Sequence, residues 1–222
     1  MIIIRSTQEE ELYRTGETDE LSQALTAAAA AGINLSKADL RRADLSYAEL
    51  DGVKLSDADL REARLAEASL SDANFVGADF EEAILSGAYL SRADFSHAKL
   101  LSVRMSEIKG VGPIFCYAVM HKVTLRKVNL TRPNFFYADL READLSDGYF
   151  VEGNFQHTDL GKANLAGADF SGANLTAADL RNADFSGANF SHADLTGANL
   201  GPFLDKKQLK DCNLTEVRGL SL

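Results

Sequence analysis

Acidic residues recur along this chain at a spacing that could build a catalytic site. Asp39, Asp44 and Asp59 each precede a large apolar residue, and Asp or Asn stands at the same place in many later segments. Two carboxylates that are held close together can act as a general acid and a general base, so this series is the first candidate for chemistry. Four His and two Cys are the other side chains to weigh as metal ligands.

The spacing of the apolar residues decides how these side chains are presented. Residues 171–190 read SGANL TAADL RNADF SGANF, with a large apolar residue at every fifth position. From residue 35 to 200 this series has 34 positions, with 21 Leu, 10 Phe, 2 Met and Gly110. Two residues before each lies a second series, from Ile33 to Ala198, that contains 23 Ala. A period of five matches neither an amphipathic helix nor a half-buried strand.

The repeated unit is an extended segment followed by a bend. Ala173 and Leu175 lie on one face of such a segment, with Asn174 on the other face. The next inward residue, Ala178, follows three positions later, so the chain must bend once in every five residues. A chain that bends in the same sense each time winds into a coil, and successive coils can pair as strands about 4.8 Å apart.

The predicted coil removes most of the candidates for catalysis. The Asp or Asn between two inward residues is the solvated face of a strand. Residues 161–164, GKAN, lack the upstream glycine of a phosphate-binding loop. Cys116 and Cys212 are too few and too far apart for a disulfide framework or a Cys-based zinc site. We therefore predict a protein that is not an enzyme, with no catalytic residue, no metal site and no cofactor.

Units such as ADLRE at 138–142 and ADLTG at 193–197 resemble the repeats of the pentapeptide-repeat family. The resemblance implies an all-β solenoid, a right-handed quadrilateral β-helix with four pentapeptides in each coil. At that size residues 33–200 make roughly eight coils and a rod about 40 Å long. We predict an N-terminal cap at 1–32, formed by a short strand plus a helix, and a degenerate last coil or cap at 201–222.

The two ends should cover the sheet edges that a solenoid otherwise leaves open. At the N-terminus MIIIR predicts a strand, Ser6 to Glu9 has capping-box spacing, and Gly32 is placed to end an Ala-rich helix. At the C-terminus, Cys212 and Leu214 are predicted to point inward. A signal peptide and a long apolar run are not evident, which predicts a cytoplasmic protein without a membrane interaction.

Two functional hypotheses follow, one from the predicted fold and one from the net charge of −10. The main one is a rigid scaffold whose outer faces bind a protein partner, without direct binding of nucleic acid. The alternative comes from the resemblance, because some pentapeptide-repeat proteins resemble B-form DNA and occupy the DNA-binding surface of DNA gyrase. Sorted on a 20-residue coil, the four faces carry −2, −2, −2 and −1, and residues 1–32 carry −4. This charge is diffuse, whereas a DNA mimic needs a concentrated path of negative charge. A weak end-to-end homodimer is left open.

The middle of the repeat departs from its own rule. Between Leu100 and Leu125, larger residues and Pro113 replace inward Ala, and Gly110 stands in the large apolar series. Gly110, Gly112 and Pro113 predict a local distortion such as a bulge or loop, without a large insertion because the frame of five resumes. Apolar residues also occupy outward positions here: Leu101, Val111, Ile114 and Val119.

A coil of 20 residues would bring four rings into one outward column at positions 97, 117, 137 and 157. With their neighbours they form the predicted partner-binding patch: His97, Ile114, Cys116, Tyr117, Phe136, Tyr137 and His157. Such rings either pin the alignment of adjacent strands or mark an interaction site. His97 and His157 would lie three coils apart, about 14 Å, which is too far for a shared metal ion.

Overall fold

Four pentapeptides complete one turn of the backbone in the computed structural model, which describes residues 2–18 and 20–201. Parallel bridges join residues twenty apart, from Asn34 with Lys54 to Asp179 with Asn199. Each bridge is made by backbone hydrogen bonds; Leu55 N–H, for example, donates to the carbonyl of Asn74 at 2.8 Å. The repeat therefore forms a quadrilateral β-helix in which every residue lies above the residue twenty positions earlier.

The bend in each pentapeptide is a tight turn, and in most units one backbone hydrogen bond closes it. In the first unit the N–H of Ala38 donates to the carbonyl of Leu35 at 3.1 Å, and Lys37 between them has φ 65°. A positive φ at the third residue is the signature of a type II turn. Every fifth residue from 37 to 197 has this left-handed conformation, whether it is Gly or a larger residue. These corner residues project their side chains away from the rod.

The interior is filled by the two apolar series that the sequence predicted. The Leu, Phe and Met residues of the large series are buried from Leu35 to Leu195, while Leu200 is half-buried in the last described coil. Five Phe rings stack in one inner column with centroids 4.8 to 5.2 Å apart, close to the spacing between strands. They are Phe75, Phe95, Phe115, Phe135 and Phe155.

Three elements precede the repeat. Strands β1 (Ile2–Arg5) and β2 (Glu11–Thr15) form an antiparallel hairpin, and helix α1 (Leu21–Ala30) follows them. The carbonyl of Arg5 accepts the N–H of Asp39 at 2.9 Å, a hydrogen bond that the preceding coil provides elsewhere in the rod. Leu25 of α1 packs in the same apolar core as Leu35. The N-terminal strand thus pairs with the backbone of the first coil, and α1 adds a side chain to its apolar core.

The predicted capping box at Ser6 and Glu9 is wrong. The Oγ of Ser6 accepts the N–H groups of Gln8 and Glu10, so this segment is the turn of the hairpin. A side-chain oxygen followed by polar residues serves a turn as well as a helix start, and the sequence did not separate the two. The predicted helix stop is confirmed, because Gly32 has φ 66° and follows α1.

The unusual middle continues the coil without an insertion. Strands β3 (Lys109–Val111) and β4 (Asn129–Thr131) pair in parallel, residue by residue, with no shift of register. Both end two residues before a proline, Pro113 or Pro133, which has no N–H to close the usual turn. The expected distortion is therefore a locally extended segment, and the expected bulge does not form.

Some expectations remain predictions. Cys212, Leu214 and the rest of the predicted C-terminal coil lie outside the described residues, and the division into 1–32, 33–200 and 201–222 stays a prediction. Within residues 2–18 and 20–201, no helix is long and apolar enough to cross a membrane.

Deleting one inward side chain tests how the core holds the rod. Leu165→Ala removes a fully buried side chain between stacked neighbours, so we expect the free energy of unfolding to fall by about 2–5 kcal/mol. Lys162→Ala, at an exposed corner of the same coil, should change it by less than about 0.5 kcal/mol. Urea unfolding followed by circular dichroism measures both variants. Equal effects would contradict the assignment of inward and outward positions.

Candidate functional site

The recurring Asp and Asn side chains serve the turns of the coil. The Oδ1 of Asp139 accepts the backbone N–H of Arg141 at 3.2 Å, and the Oδ1 of Asn174 accepts that of Thr176 at 3.0 Å. Sequence analysis interpreted this series as a solvated face and missed the bond to the turn. Asp and Asn share a short side chain with an acceptor oxygen, which explains why they alternate at this position.

Arginines bind several of these carboxylates and keep them ionised. Arg141 donates to both oxygens of Asp139, from Nε at 2.8 Å and from Nη2 at 2.6 Å. This pairing lowers the pKa of Asp139 below its ordinary value. In three equivalent units, the arginine that stands two residues after the carboxylate lowers its pKa in the same way: Asp39, Asp59 and Asp179. A carboxylate with a lowered pKa is a poor general acid at neutral pH.

Cys116 and possible metal ligands are the remaining candidates for chemistry. Burial raises the pKa of the Cys116 thiol, and the nearby charge of Asp94 adds to the effect. A protonated thiol is a poor nucleophile and metal ligand. In the part of the chain that the structure describes, no group of three or more His, Cys, Asp or Glu side chains could hold a metal ion.

Four rings form a continuous column on one corner of the rod. The rings of His97 and Tyr117 are 5.1 Å apart, those of Tyr117 and Tyr137 are 5.5 Å apart, and those of Tyr137 and His157 are 4.6 Å apart. The planes of these pairs differ by only 3° to 14°. The backbone produces this stack, because the residues occupy the same corner of successive coils. We call these four residues the ring column.

Phe136 holds the ring column from the side. Its ring lies edge-on to Tyr117 at 5.7 Å and to Tyr137 at 4.7 Å. Phe136 is itself half-buried, as are the two other apolar residues predicted for the patch, Ile114 and Cys116. Ring contacts therefore join five of the seven predicted residues, Ile114 and Cys116 lie within three residues of Tyr117 in the chain, and we call all seven the aromatic patch. Its role in binding stays a prediction.

Neighbouring rings hold the two tyrosines of the patch in place, yet about half of each side chain is exposed to solvent. Tyr117 is 47% exposed and Tyr137 is 48% exposed. Their ring faces are covered by the rings above and below, so the exposed parts are the ring edges and the hydroxyl groups. Neither hydroxyl makes a hydrogen bond to another residue that the structure describes. Both tyrosines have positive φ, a conformation that Gly77 and Gly197 adopt in the same column.

Exposed apolar side chains concentrate around the middle of the rod. Of the seven large ones among the described residues, six lie between residues 89 and 149. They occur on several faces: Tyr89, Val111, Tyr117, Val119, Tyr137 and Tyr149. The exception is Tyr47, a corner residue near α1 that is 70% exposed. The patch therefore belongs to a wider apolar zone at the middle of the rod.

Charge also separates along the rod axis. Residues 94–133 contain seven Lys or Arg and two Asp or Glu, a net charge of +5. The coil of residues 114–133 has four basic residues and no acidic residue, and the next coil, residues 134–153, carries −4. The net charge of each face, summed along the whole rod, hides this difference between neighbouring coils. Sorting them by coil would have found it from the sequence.

Comparison with known proteins agrees with this architecture. Eight copies of the family model described as pentapeptide repeats match the chain, within residues 24–61, 63–100, 73–108, 138–176, 149–187 and 163–201. No curated protein matches the sequence.

The two QnrB1 structures share the fold of this chain at low sequence identity. A trypsin-treated variant of QnrB1, a plasmid-mediated fluoroquinolone resistance protein, has a TM-score of 0.71 at 21% identity, covering 79% of this chain and 86% of that one. Full-length QnrB1 has a TM-score of 0.66 at 20% identity, covering 81% and 90%. HetL, a pentapeptide repeat protein involved in heterocyst differentiation regulation from the cyanobacterium Nostoc sp. strain PCC 7120, is 29% identical, covers 88% and 95%, and has a TM-score of 0.41.

The arginine-bound carboxylates predict that the rod loses stability in acid. A carboxylate whose pKa is lowered by folding stabilises the folded state at pH values above its ordinary pKa, about 4, and this contribution is lost as the pH falls through the lowered value. We expect the free energy of unfolding, measured with urea, to fall between about pH 4 and pH 2.

A double variant identifies the groups responsible. Asp139→Asn with Asp179→Asn keeps an acceptor for the turn N–H but removes the charge that binds arginine, so the loss in acid should become smaller. Asp57→Asn is the matched control, because the carboxylate of Asp57 accepts no hydrogen bond from another residue in the described ranges. An acid loss that the double variant leaves unchanged would contradict the assignment.

Proposed function

This chain belongs to the pentapeptide-repeat family, and on that premise we propose that it is a non-catalytic, rigid scaffold that binds a protein through the aromatic patch. The observation that supports this proposal is the ring column, in which His97, Tyr117, Tyr137 and His157 stack in the open on one corner. The lack of an active-site arrangement among the described residues is consistent with a binding role.

The ring column is suited to binding because its side chains are already ordered. Immobilising a flexible side chain on association costs about 0.5–1.5 kcal/mol, and stacked rings have lost most of that freedom before a partner arrives. Tyrosine also offers an apolar ring and a hydroxyl in one side chain, which is why it is frequent at binding hot spots. The free hydroxyls of Tyr117 and Tyr137 provide hydrogen-bonding groups at the rim of the apolar area.

Folding alone does not explain why tyrosines occupy these corners. The left-handed conformation costs a residue other than Gly about 1 kcal/mol, and a small residue fits the corner, as Gly77 and Ser102 do elsewhere. Stacking between rings offsets part of this cost, at about 0.5–1.5 kcal/mol for each pair. The exposed ring edges add nothing to the fold, and they are the part that a partner would cover.

A double variant separates binding from stability. We expect Tyr117→Ser with Tyr137→Ser to weaken partner binding by the folded protein by at least about 2 kcal/mol, the scale of an interface hot spot. Tyr47→Ser with Tyr149→Ser is the matched control, because it removes two exposed tyrosines that lie outside the ring column. Capture from a lysate of the native host, quantified by mass spectrometry for wild type and both variants, measures the difference.

The opposite result would assign the rings to the fold. If they serve mainly to clamp adjacent coils, the patch variant should melt at a lower temperature while the folded fraction captures the same proteins as wild type. That result would reject the patch as a binding site and retain the stacking as a stabilising device. Thermal unfolding of the same preparations supplies this second measurement.

The charge pattern argues against the alternative of DNA mimicry. A DNA mimic must present negative charge along its length to a basic groove. Here residues 94–133 carry +5 at the middle of the rod, and arginines neutralise carboxylates such as Asp59 and Asp139. We therefore rank protein binding through the aromatic patch above DNA mimicry.

A direct assay with DNA gyrase tests this ranking. We expect no change in supercoiling by purified gyrase at micromolar concentrations of the protein, in low or in physiological salt. Inhibition that weakens as salt increases would support charge-driven DNA mimicry and contradict our ranking. The surface charge that opposes mimicry lies at Lys122, Arg126, Lys127 and Arg132, so a variant with these four changed to Ser is the informative comparison.

A further inference from the structure

One side of the rod repeats an ion pair between an aspartate and the arginine two residues later. Among the described residues it is formed by Asp39 with Arg41, Asp59 with Arg61, Asp139 with Arg141, and Asp179 with Arg181. The residue numbers differ by multiples of twenty, so the aspartates share one column and the arginines share the next. Asp159 belongs to the aspartate column, but Gly161 stands where its arginine would be. The repeat therefore lacks one guanidinium, between Arg141 and Arg181.

The carboxylate of Asp159 keeps its bond to the turn but has one oxygen without a donor. Its Oδ1 accepts the N–H of Gly161 at 2.9 Å. Its Oδ2 accepts no hydrogen bond from a described residue and lies 3.6 Å from the Nε of Arg141, which binds Asp139. The side chain of Asp159 is 41% exposed, against 24% for Asp139 and for Asp179.

The first two coils contain the same arrangement with the guanidinium in place. The Nε of Arg41 lies 3.6 Å from the Oδ2 of Asp59, which is also the distance between Arg141 and Asp159. Asp59 nevertheless binds Arg61 as well, which donates from Nε to Oδ1 at 2.8 Å and from Nη2 to Oδ2. The contact with the arginine of the preceding coil therefore leaves the carboxylate able to bind a second guanidinium.

The space for this second guanidinium is present beside Gly161. A cavity of about 310 Å³ is lined there by Arg141, Asp159, Gly161 and Arg181, among others. Arg141 and Arg181 are two coils apart, about 10 Å, so one planar group fits between them at the strand spacing. Each of these arginines binds an aspartate of its own, which largely neutralises the positive charge that would oppose a third guanidinium.

We propose that this gap binds the guanidinium group of an arginine on a partner protein, which pairs with Asp159 as Arg61 pairs with Asp59. The planar fork of a guanidinium donates to both oxygens of a carboxylate at once, whereas an ammonium group acts as a point charge. Lys162, at the exposed corner beside Gly161, forms no ion pair with a described residue. The site thus selects the shape of the cation as well as its charge.

The position of the gap indicates a protein as the source of the arginine. Asp159 follows His157 by two residues, so the gap lies just around the corner from the ring column. A protein that covers the rings can reach the gap with one side chain. This choice of source rests on the proposed function, while the guanidinium site itself depends only on Asp159 and its neighbours.

Proton–nitrogen NMR of the full chain tests the proposal through the amide of Gly161, which donates to Asp159. The probe is N-acetyl-L-arginine methylamide, which represents an arginine within a chain, and the matched probe is N-acetyl-L-lysine methylamide. We expect the arginine probe to shift the Gly161 resonance with half-saturation at about 1–10 mM. The lysine probe should need at least about tenfold more, because it cannot bind both oxygens in the same plane.

Two variants remove the site in different ways. Asp159→Asn keeps an acceptor for the turn but removes the charge, so binding of the arginine probe should weaken at least about tenfold. Gly161→Arg supplies the guanidinium from the chain itself, as Arg61 does, and should abolish the response to the probe. Asp169→Asn is the matched control, because Asp169 has the same place in its pentapeptide on another side of the coil. It should leave the response unchanged. Asn already stands at this place in other coils, so Asp159→Asn remains informative if Gly161→Arg does not fold.

The outcomes separate the site from its source. A saturable shift that favours the arginine probe and is lost in Asp159→Asn supports the site. No shift up to about 100 mM, an equal response to both probes, or a response that Asp159→Asn retains overturns it. Free L-arginine that binds at least about tenfold more tightly than the capped probe would assign the gap to a free amino acid and reject a protein as the source.

The double variant of the ring column distinguishes this proposal from the proposed function. Tyr117→Ser with Tyr137→Ser should bind the arginine probe as wild type does, because neither tyrosine lines the gap. If that variant also captures the same proteins as wild type, the function of the aromatic patch fails while the guanidinium site stands. If the variant loses capture and the probe shifts nothing in wild type, only the guanidinium site fails.

Discussion

Backbone hydrogen bonding between residues twenty apart is the constraint on which the rest of this molecule depends. It requires every pentapeptide to bend by the same amount, so a tight turn recurs at each fifth residue and the corner residue adopts a left-handed conformation. Small residues are needed where the chain bends inward, and Leu or Phe fills the remaining space. Departures from these types, such as Gly110 and Pro113, are accommodated only where the ladder continues unbroken, as it does through β3 and β4.

The same constraint organises the surface. Because each outward residue lies directly above another at about the strand spacing, neighbouring coils place side chains of one column in contact. Opposite charges in a column pair, as Arg42 does with Glu62, and aromatic residues stack, as in the ring column. Residues that are twenty apart in the sequence thus form one continuous column on the surface of the rod. Binding surfaces can be built on this framework without any change to the backbone.

The middle of the rod combines the features that distinguish this chain from a plain repeat. Six of the seven exposed large apolar residues of the described chain, the ring column and the basic coil of residues 114–133 all fall between residues 89 and 157, while the outward positions of the coils on either side are mostly polar or charged. Inside the same face, the stacked column from Phe75 to Phe155 stiffens the wall on which the ring column stands. Because the rings cannot move far, they favour a partner whose surface already has a complementary shape and charge.

The sequence by itself determined the period of five, the two inward series and the outward place of every Asp or Asn, because each follows from the alternation of inward and outward residues along the chain. It also located the aromatic patch, once the coil length implied by the family resemblance was applied to Tyr117 and Tyr137. It misread Ser6 and Glu9, since the same local pattern starts a helix or closes a hairpin, and it missed strand β2. Only the tertiary structure decided that the outward Asp and Asn hold the turns, that Phe136 braces the rings, and that arginines neutralise particular carboxylates. Those contacts join side chains across turns and coils at distances that depend on rotamers, and residue types alone do not specify them.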